Sequence, residues 1–181
     1  MTCMRSMRPA NSSRCSKPEQ HRFTLRKKIM EQNAQPVFGI EKLYVKDLSV
    51  EVPNAPEIFL ERDQPQVEIQ LNTSGRGVGE GVFEVVLTVT VTAKFGEKTV
   101  FLVEVGQGGI FRIQNVADEQ IEPLIAVACP NILFPYARET VSDAVTRAGF
   151  SPVVLQPVNF EAMYMQRLQE QAPAPTEVPI Q

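Results

Sequence analysis

The sequence predicts an α+β fold, a four-stranded antiparallel sheet followed by two helices. Three observations predict it. Apolar and polar residues alternate through most of Val37–Val105, the period of strands with one buried face. From Ile121 onward the apolar residues recur at helical spacing instead. The links between strand candidates are short or punctuated by Gly and Pro, which makes sequential strands antiparallel neighbours.

The first strand candidate is Val37–Val52. Phe38, Ile40, Tyr44, Leu48, Val50 and Val52 share one parity, and Glu41, Asp47, Ser49 and Glu51 share the other. Lys42, Leu43, Val45 and Lys46 break the alternation, which points to a bulge or twist. Pro53-Asn-Ala-Pro56 ends the strand, because proline removes ladder donors. The second strand, Gln66–Leu71, turns Val67, Ile69 and Leu71 to one face. Gly75–Gly81 reads as a flexible connector. Its spacing fits neither GxGxxG nor GxxxxGK[ST], so a phosphate loop is not expected.

Val82–Phe95 gives the clearest alternation. Phe83, Val85, Leu87, Val89, Val91, Ala93 and Phe95 face the core, against Glu84, Thr88, Thr90, Thr92 and Lys94. Gly96-Glu97 turns the chain into Thr99–Val105. There Phe101, Val103 and Val105 face in, and Val100, Leu102 and Glu104 face out. The four strands are expected to form a meander.

Leu133, Ala137, Val141, Ala144, Val145 and Ala148 mark the first long helix. Arg147 suits its negative end, Gly149 the position just past it, and Pro152 blocks continuation. Ile121–Ala128 is helix-like upstream, and Pro130 and Pro135 are expected to kink or break the intervening stretch. A second helix is expected over Phe160–Gln171, capped by Asn159 with Glu161 in its first turn.

Charge and composition narrow the function. Residues 1–29 carry eight basic side chains against one acid, whereas residues 30–181 carry 10 basic and 20 acidic ones, a net −10. The acidic body disfavours nucleic acid and anionic membranes and favours basic partners. The leader is expected to be a disordered extension, or an upstream reading frame ahead of a natural start at Met30. Its Arg- and Ser-rich, acid-poor composition also fits a mitochondrial transit peptide. The Pro-rich tail, 172–181, is expected to be disordered. No apolar run is long enough to insert in a bilayer.

His21 is the sole histidine and lies in the leader, so residues 30–181 lack the usual general base and most metal-site constellations. Cys129 has no histidine to activate it and reads as a buried, inert thiol. Asp118, Glu119 and Glu122 dress a helix N-terminus more readily than they hold a cation. No enzyme activity, metal or cofactor is therefore expected. The unusual features are apolar. Ile132-Leu-Phe134 with Tyr136 exceeds what one helix face hides in a small domain, which points to an oligomer. On the sheet, outward Leu102 ringed by Glu104, Asp47 and Glu51 makes a docking patch for a basic partner. An ordinary solvated sheet face is the competing reading.

Five segments, in order, resemble the SecB family of protein-export chaperones: Val45–Pro56, Glu84–Ala93, Gln107–Phe111, Cys129–Glu139 and Pro157–Phe160. The resemblance covers roughly 37–170 and leaves 1–29 outside, making 30–171 the chaperone domain. It implies a homotetramer, a dimer of dimers in which protomers join sheets at their edges and the long helices pack between them. It implies a cytoplasmic, ATP-independent holdase that keeps precursor proteins unfolded and passes them to the SecA motor, with no cofactor. Asp47, Glu51, Leu102 and Glu104 match the family's SecA-docking positions. Val67, Ile69 and Leu71, with Tyr44 as a further candidate, match its client-binding region, although core packing would equally explain the three strand residues. The alternative within the same likeness is a SecB-like chaperone dedicated to one client such as an antitoxin.

Overall fold

The computed structural model describes residues 35–171. The expected leader, the start at Met30 and the tail lie outside them. Four strands, β1 (Val37–Glu51), β2 (Gln66–Gly79), β3 (Val82–Phe95) and β4 (Lys98–Gln114), form one antiparallel sheet. Three helices follow: α1 (Asp118–Pro123), α2 (Cys129–Arg147) and α3 (Phe160–Gln171).

The sheet is not a meander. Its order is β1-β4-β3-β2, so β2, β3 and β4 are joined by hairpins while β1 lies beside β4. This is a Greek-key connection. The link from β1 to β2 carries a short 3₁₀ turn, Glu57–Leu60, whose Ile58 is buried. Alternation reports which face a side chain takes, but it does not say which strand lies alongside.

Two strands run past their expected ends. Gly75–Gly79 belongs to β2, pairing Gly75 with Val85 and Arg76 with Glu84, so the connector shrinks to a turn at Glu80-Gly81. Gly75 is required by close approach: a Cβ there would lie 2.5 Å from Cγ2 of Ile125. Likewise β4 continues through Gly106–Gly109 to Gln114. Val100 turns inward and is buried, because it is the unpaired residue where the register between β3 and β4 shifts.

The core lies between the central strands and α2. Val85, Leu87, Val89 and Val91 of β3, with Val103, Val105 and Phe111 of β4, are fully buried under Leu133, Ala137, Val141 and Val145. Those four helix positions recur every fourth residue and make one stripe. Proline does not break α2. Pro135 and Asn131 both lie on the exposed side, so the carbonyl that Pro135 cannot serve faces water. The irregularity sits upstream instead, as a π-helical turn over Leu124–Ala128 between Pro123 and Pro130.

Both expected helix signals are present. Gly149 has φ +91°, with Phe150 N–H donating to Val145 O at 3.2 Å and Gly149 N–H to Thr146 O at 3.1 Å. The Asn159 Oδ1 accepts from Ala162 N–H at 3.0 Å and caps α3. The oily Ile132–Phe134 run is largely absorbed within the chain, while Tyr136 stays exposed. Leu133 enters the core, and Phe134 meets Phe160 of α3 edge-on at 5.8 Å between ring centroids. The apolar surface that remains uncovered is mainly on the edge strands.

Candidate functional site: two faces of one sheet

The inner face carries α2, yet α2 covers only the centre. The β2 side chains Val67, Ile69 and Leu71 pair with Ala93, Val91 and Val89, whose side chains are completely buried on that same face. Val67 and Ile69 are nevertheless 44% and 43% exposed, and Leu71 is half-buried. Core packing therefore takes in part of Leu71 but leaves Val67 and Ile69 uncovered.

Each end of this β2 row opens into a hollow. At the Val67 end a cleft of about 470 Å³ is walled by Phe59, Phe95, Val100, Phe101 and Phe150. Phe150 stacks on Phe59 at 5.2 Å and tilts against Phe101 at 4.9 Å, so the wall is aromatic and braced. At the other end a hollow of about 210 Å³ lies between Thr73, Gly75, Ile125, Ala126, Tyr164 and Leu168. Val67 to Gly75 spans roughly 27 Å at about 3.4 Å per residue, the length of a short extended peptide. The sequence reading missed Phe59 and Phe150. Both sit in links between elements, where periodicity is silent.

The other edge is bare on the same face. Ile40 and Leu48 of β1 pair with Phe111 and Val105 but are 50% and 49% exposed. Phe38 and Val50 are exposed beside them, Phe38 stacking on Phe111 at 6.0 Å.

The outer face gathers the four predicted docking residues. Glu51 pairs directly with Leu102, Ser49 with Glu104, and Asp47 with Gly106. Directly opposed residues share a face, so Asp47, Glu51, Leu102 and Glu104 form one patch of acids about a half-buried leucine. Thr90 Oγ1 donates to Glu104 Oε2 at 3.2 Å and steadies that carboxylate.

Tyr44 is not with the strand-2 residues. Two bulges, at Glu41 and Lys46, interrupt β1. The residues between them have inverted parity, so Tyr44 points to the outer face while Leu43 and Val45 point inward. Simple alternation puts Tyr44 with Phe38 and Leu48, but the first bulge moves it to the opposite face. Its ring crosses Gly108 of β4, where a Cβ would lie 2.7 Å from Tyr44 Cζ. Its hydroxyl donates to Glu84.

Glu84 is a buried, fully partnered acid that the periodicity did not single out. It is 5% exposed and sits on the outer face of β3. Lys46 Nζ donates to its Oε1 at 2.9 Å, and Tyr44 and Arg76 Nε complete the set. These donors, Lys46 foremost, hold the Glu84 carboxyl well below its ordinary value, at about 2. The Tyr44 phenol is pushed up, chiefly by its bond to Glu84. In the sequence Glu84 is one polar residue in an alternating strand, and only tertiary structure brings its three donors together.

Cys129 is fully buried, and burial pushes its thiol up to about 12, far from a reactive thiolate. Among the described residues no group of three or more His, Cys, Asp or Glu is arranged to hold a metal ion. None of their helices is long and apolar enough to cross a membrane.

Comparison with known proteins adds to this geometry. A family described as "Preprotein translocase subunit SecB" matches residues 31–171. A "Protein-export protein SecB" of Dechloromonas aromatica is 88% identical over 152 residues, 84% of this chain and 100% of that protein. A protein of the same name from Methylobacillus flagellatus is 63% identical over 143 residues, 79% of this chain and 91% of the other. Among solved structures, a Mycobacterium tuberculosis SecB-like chaperone in complex with an antitoxin peptide shares the fold. Its TM-score is 0.57 at 16% identity, covering 67% of this chain and 91% of that one.

Proposed function

The chain belongs to the SecB family of protein-export chaperones, and from that membership we propose that it is an ATP-independent cytoplasmic holdase that keeps precursor proteins unfolded and delivers them to SecA. The observation that carries this reading is the uncovered inner row of β2. Val67 and Ile69 lie exposed between an aromatic cleft and a second hollow, on a face whose central residues are completely buried. A row of aliphatic side chains with adaptable aromatic walls accepts many extended sequences without demanding one. The arrangement offers extended binding area, which suits a holding role.

The outer patch supplies the second half of the function. Asp47, Glu51 and Glu104 around Leu102 combine charge for steering with an apolar centre for contact, which suits a basic docking element of SecA. Clients and SecA then meet opposite faces of the sheet and need not compete. Tyr44, on the outer face, falls outside the β2 row and is not part of this client surface.

Assembly follows from the bare edge. The exposed inner side chains of β1 and its unpaired outer edge support sheet-to-sheet joining into a dimer, and two dimers into a tetramer. Export is favoured over service to a single client, because the relatives of 88% and 63% identity both bear the export name. The test is suppression of an unfolded client's aggregation, with and without SecA, beside light scattering. A tetramer that suppresses aggregation and releases client to SecA is expected. A stable monomer without effect on aggregation would overturn the proposal.

A further inference from the structure

The acidic patch depends on the second of the two bulges in β1. Lys46 is the extra residue of the second β1 bulge. Ahead of it Tyr44 faces out and Val45 faces in; beyond it Asp47, Ser49 and Glu51 face out and Leu48 and Val50 face in. Successive strand residues take opposite faces, so a slip of one residue beyond the bulge exchanges the two sets. Asp47 and Glu51 would move to the inner face, and Leu48 and Val50 would replace them. Leu102 and Glu104, on β4, would stay behind.

The bulge is held from the neighbouring strands. Lys46 reaches over the sheet to Glu84 of β3, 2.9 Å away, and Tyr44 reaches the same carboxylate across the bare backbone of Gly108. Arg76 of β2 binds it from the far side, so one buried acid ties together both edges of the sheet. The first bulge has a weaker counterpart: Arg112 Nε donates to Glu41 at 2.7 Å, but both side chains are exposed. The second bulge alone is pinned by a buried charge.

We propose that Lys46 and Glu84 are positioning residues for SecA docking, holding the β1 bulge so that Asp47 and Glu51 lie on the outer face with Leu102 and Glu104. This inference rests on the docking reading above. It makes a prediction whose sign plain electrostatics reverses. Removing the Lys46 charge makes the patch more acidic, which by charge alone would tighten binding of a basic partner or leave it unchanged. Loss of the pin weakens binding instead.

The experiment compares full-length wild type with Lys46→Met, Lys46→Arg and Glu104→Lys. SecA affinity is measured by calorimetry, β1 by hydrogen exchange over residues 44–51, and client holding by aggregation suppression. Lys46→Met should lose about tenfold in SecA affinity and exchange at least about tenfold faster in β1, with β3 exchange and client holding unchanged. Lys46→Arg should restore both within about twofold, since it keeps the charge and the reach. Native exchange in Lys46→Met, or SecA binding that is unchanged or tighter while Glu104→Lys binds more weakly, would overturn the positioning role. If Glu104→Lys leaves SecA affinity unaltered, the docking reading itself falls, and the exchange result alone then decides whether Lys46 holds the bulge. Should Lys46→Met fail to fold, Glu84→Gln, which preserves side-chain shape, takes its place. It is judged by β1 exchange alone, since removing an acid weakens binding of a basic partner by charge as well. Exchange at least about tenfold faster in β1 supports the positioning role, and native exchange overturns it.

Discussion

The central and edge strands of this sheet present similar side chains on the same face and meet different fates. Val89 and Val91 of β3 are completely buried, while Val67 and Ile69, one strand away, are nearly half exposed. Geometry explains the difference. Strands lie about 4.8 Å apart and a helix with its side chains is about 10 Å across, so one helix covers about two strands. With α2 over β3 and β4, the inner faces of β1 and β2 are left uncovered. Hydrophobicity of a strand position thus records its face, and its distance from the covering helix decides whether it is core or contact surface.

The comparison can be broken most directly at its centre. Leu133→Ala removes the helix residue packed on the central strands and should cost about 3–5 kcal/mol in urea unfolding at fixed protein concentration. A loss below about 1 kcal/mol would mean that α2 does not form the core it covers. Gly75→Val comes next. A side chain at Gly75 meets Ile125 at the rim of the covered zone and should cost about 1–3 kcal/mol, with Ile125→Ala in the same chain recovering part of it. Additive losses from the two changes would show that the fit between β2 and the π-helical turn is absent in solution.

A pH series sharpens the comparison on the outer face, where Glu84 links the two edges. Its carboxyl is lowered from 4.5 to about 2 in the folded chain, so its contribution to stability is complete above 4.5 and is lost as pH falls toward 2. The stability gap between wild type and Glu84→Gln should be widest above about pH 5 and narrow toward pH 2. A gap independent of pH in denaturant titrations would contradict the ionised, donor-bound carboxylate. The smallest change in stability belongs to Ile69→Ala, below about 1 kcal/mol, yet it should weaken client holding measurably. An unfolding cost as large as that of Leu133→Ala would place Ile69 in the core and close the groove.

Much of this architecture was legible from local pattern. The β3 alternation, the Gly149 and Asn159 helix boundaries and the inner face of β2 all follow from periods and caps, which are properties of neighbouring residues. Asp47, Glu51, Leu102 and Glu104 were brought onto one face for a subtler reason: the two β1 bulges cancel, so parity beyond the second agrees with parity before the first. Tyr44 was misread because it lies between them. The extension of β4 through Gly106–Gly109 left no alternating side chains to read, and Gly108 and Gly109 clear the Tyr44 and Phe111 rings. Strand order and the donors around Glu84 depend on contacts between residues far apart in the chain, which no periodicity encodes.

The order β1-β4-β3-β2 also has a consequence for how the protein is made. The pairs from Glu51↔Leu102 to Val37↔Gln114 join residues 51 to 77 positions apart, whereas β2–β3 and β3–β4 close as local hairpins. The first strand to leave the ribosome is therefore the last to find its place, since its partner is synthesised after both hairpin strands. Until β4 emerges, the oily side chains of β1 have no sheet to join. A member of a protein-export chaperone family thus passes through an interval in which its own nascent chain exposes an apolar segment that has no partner yet.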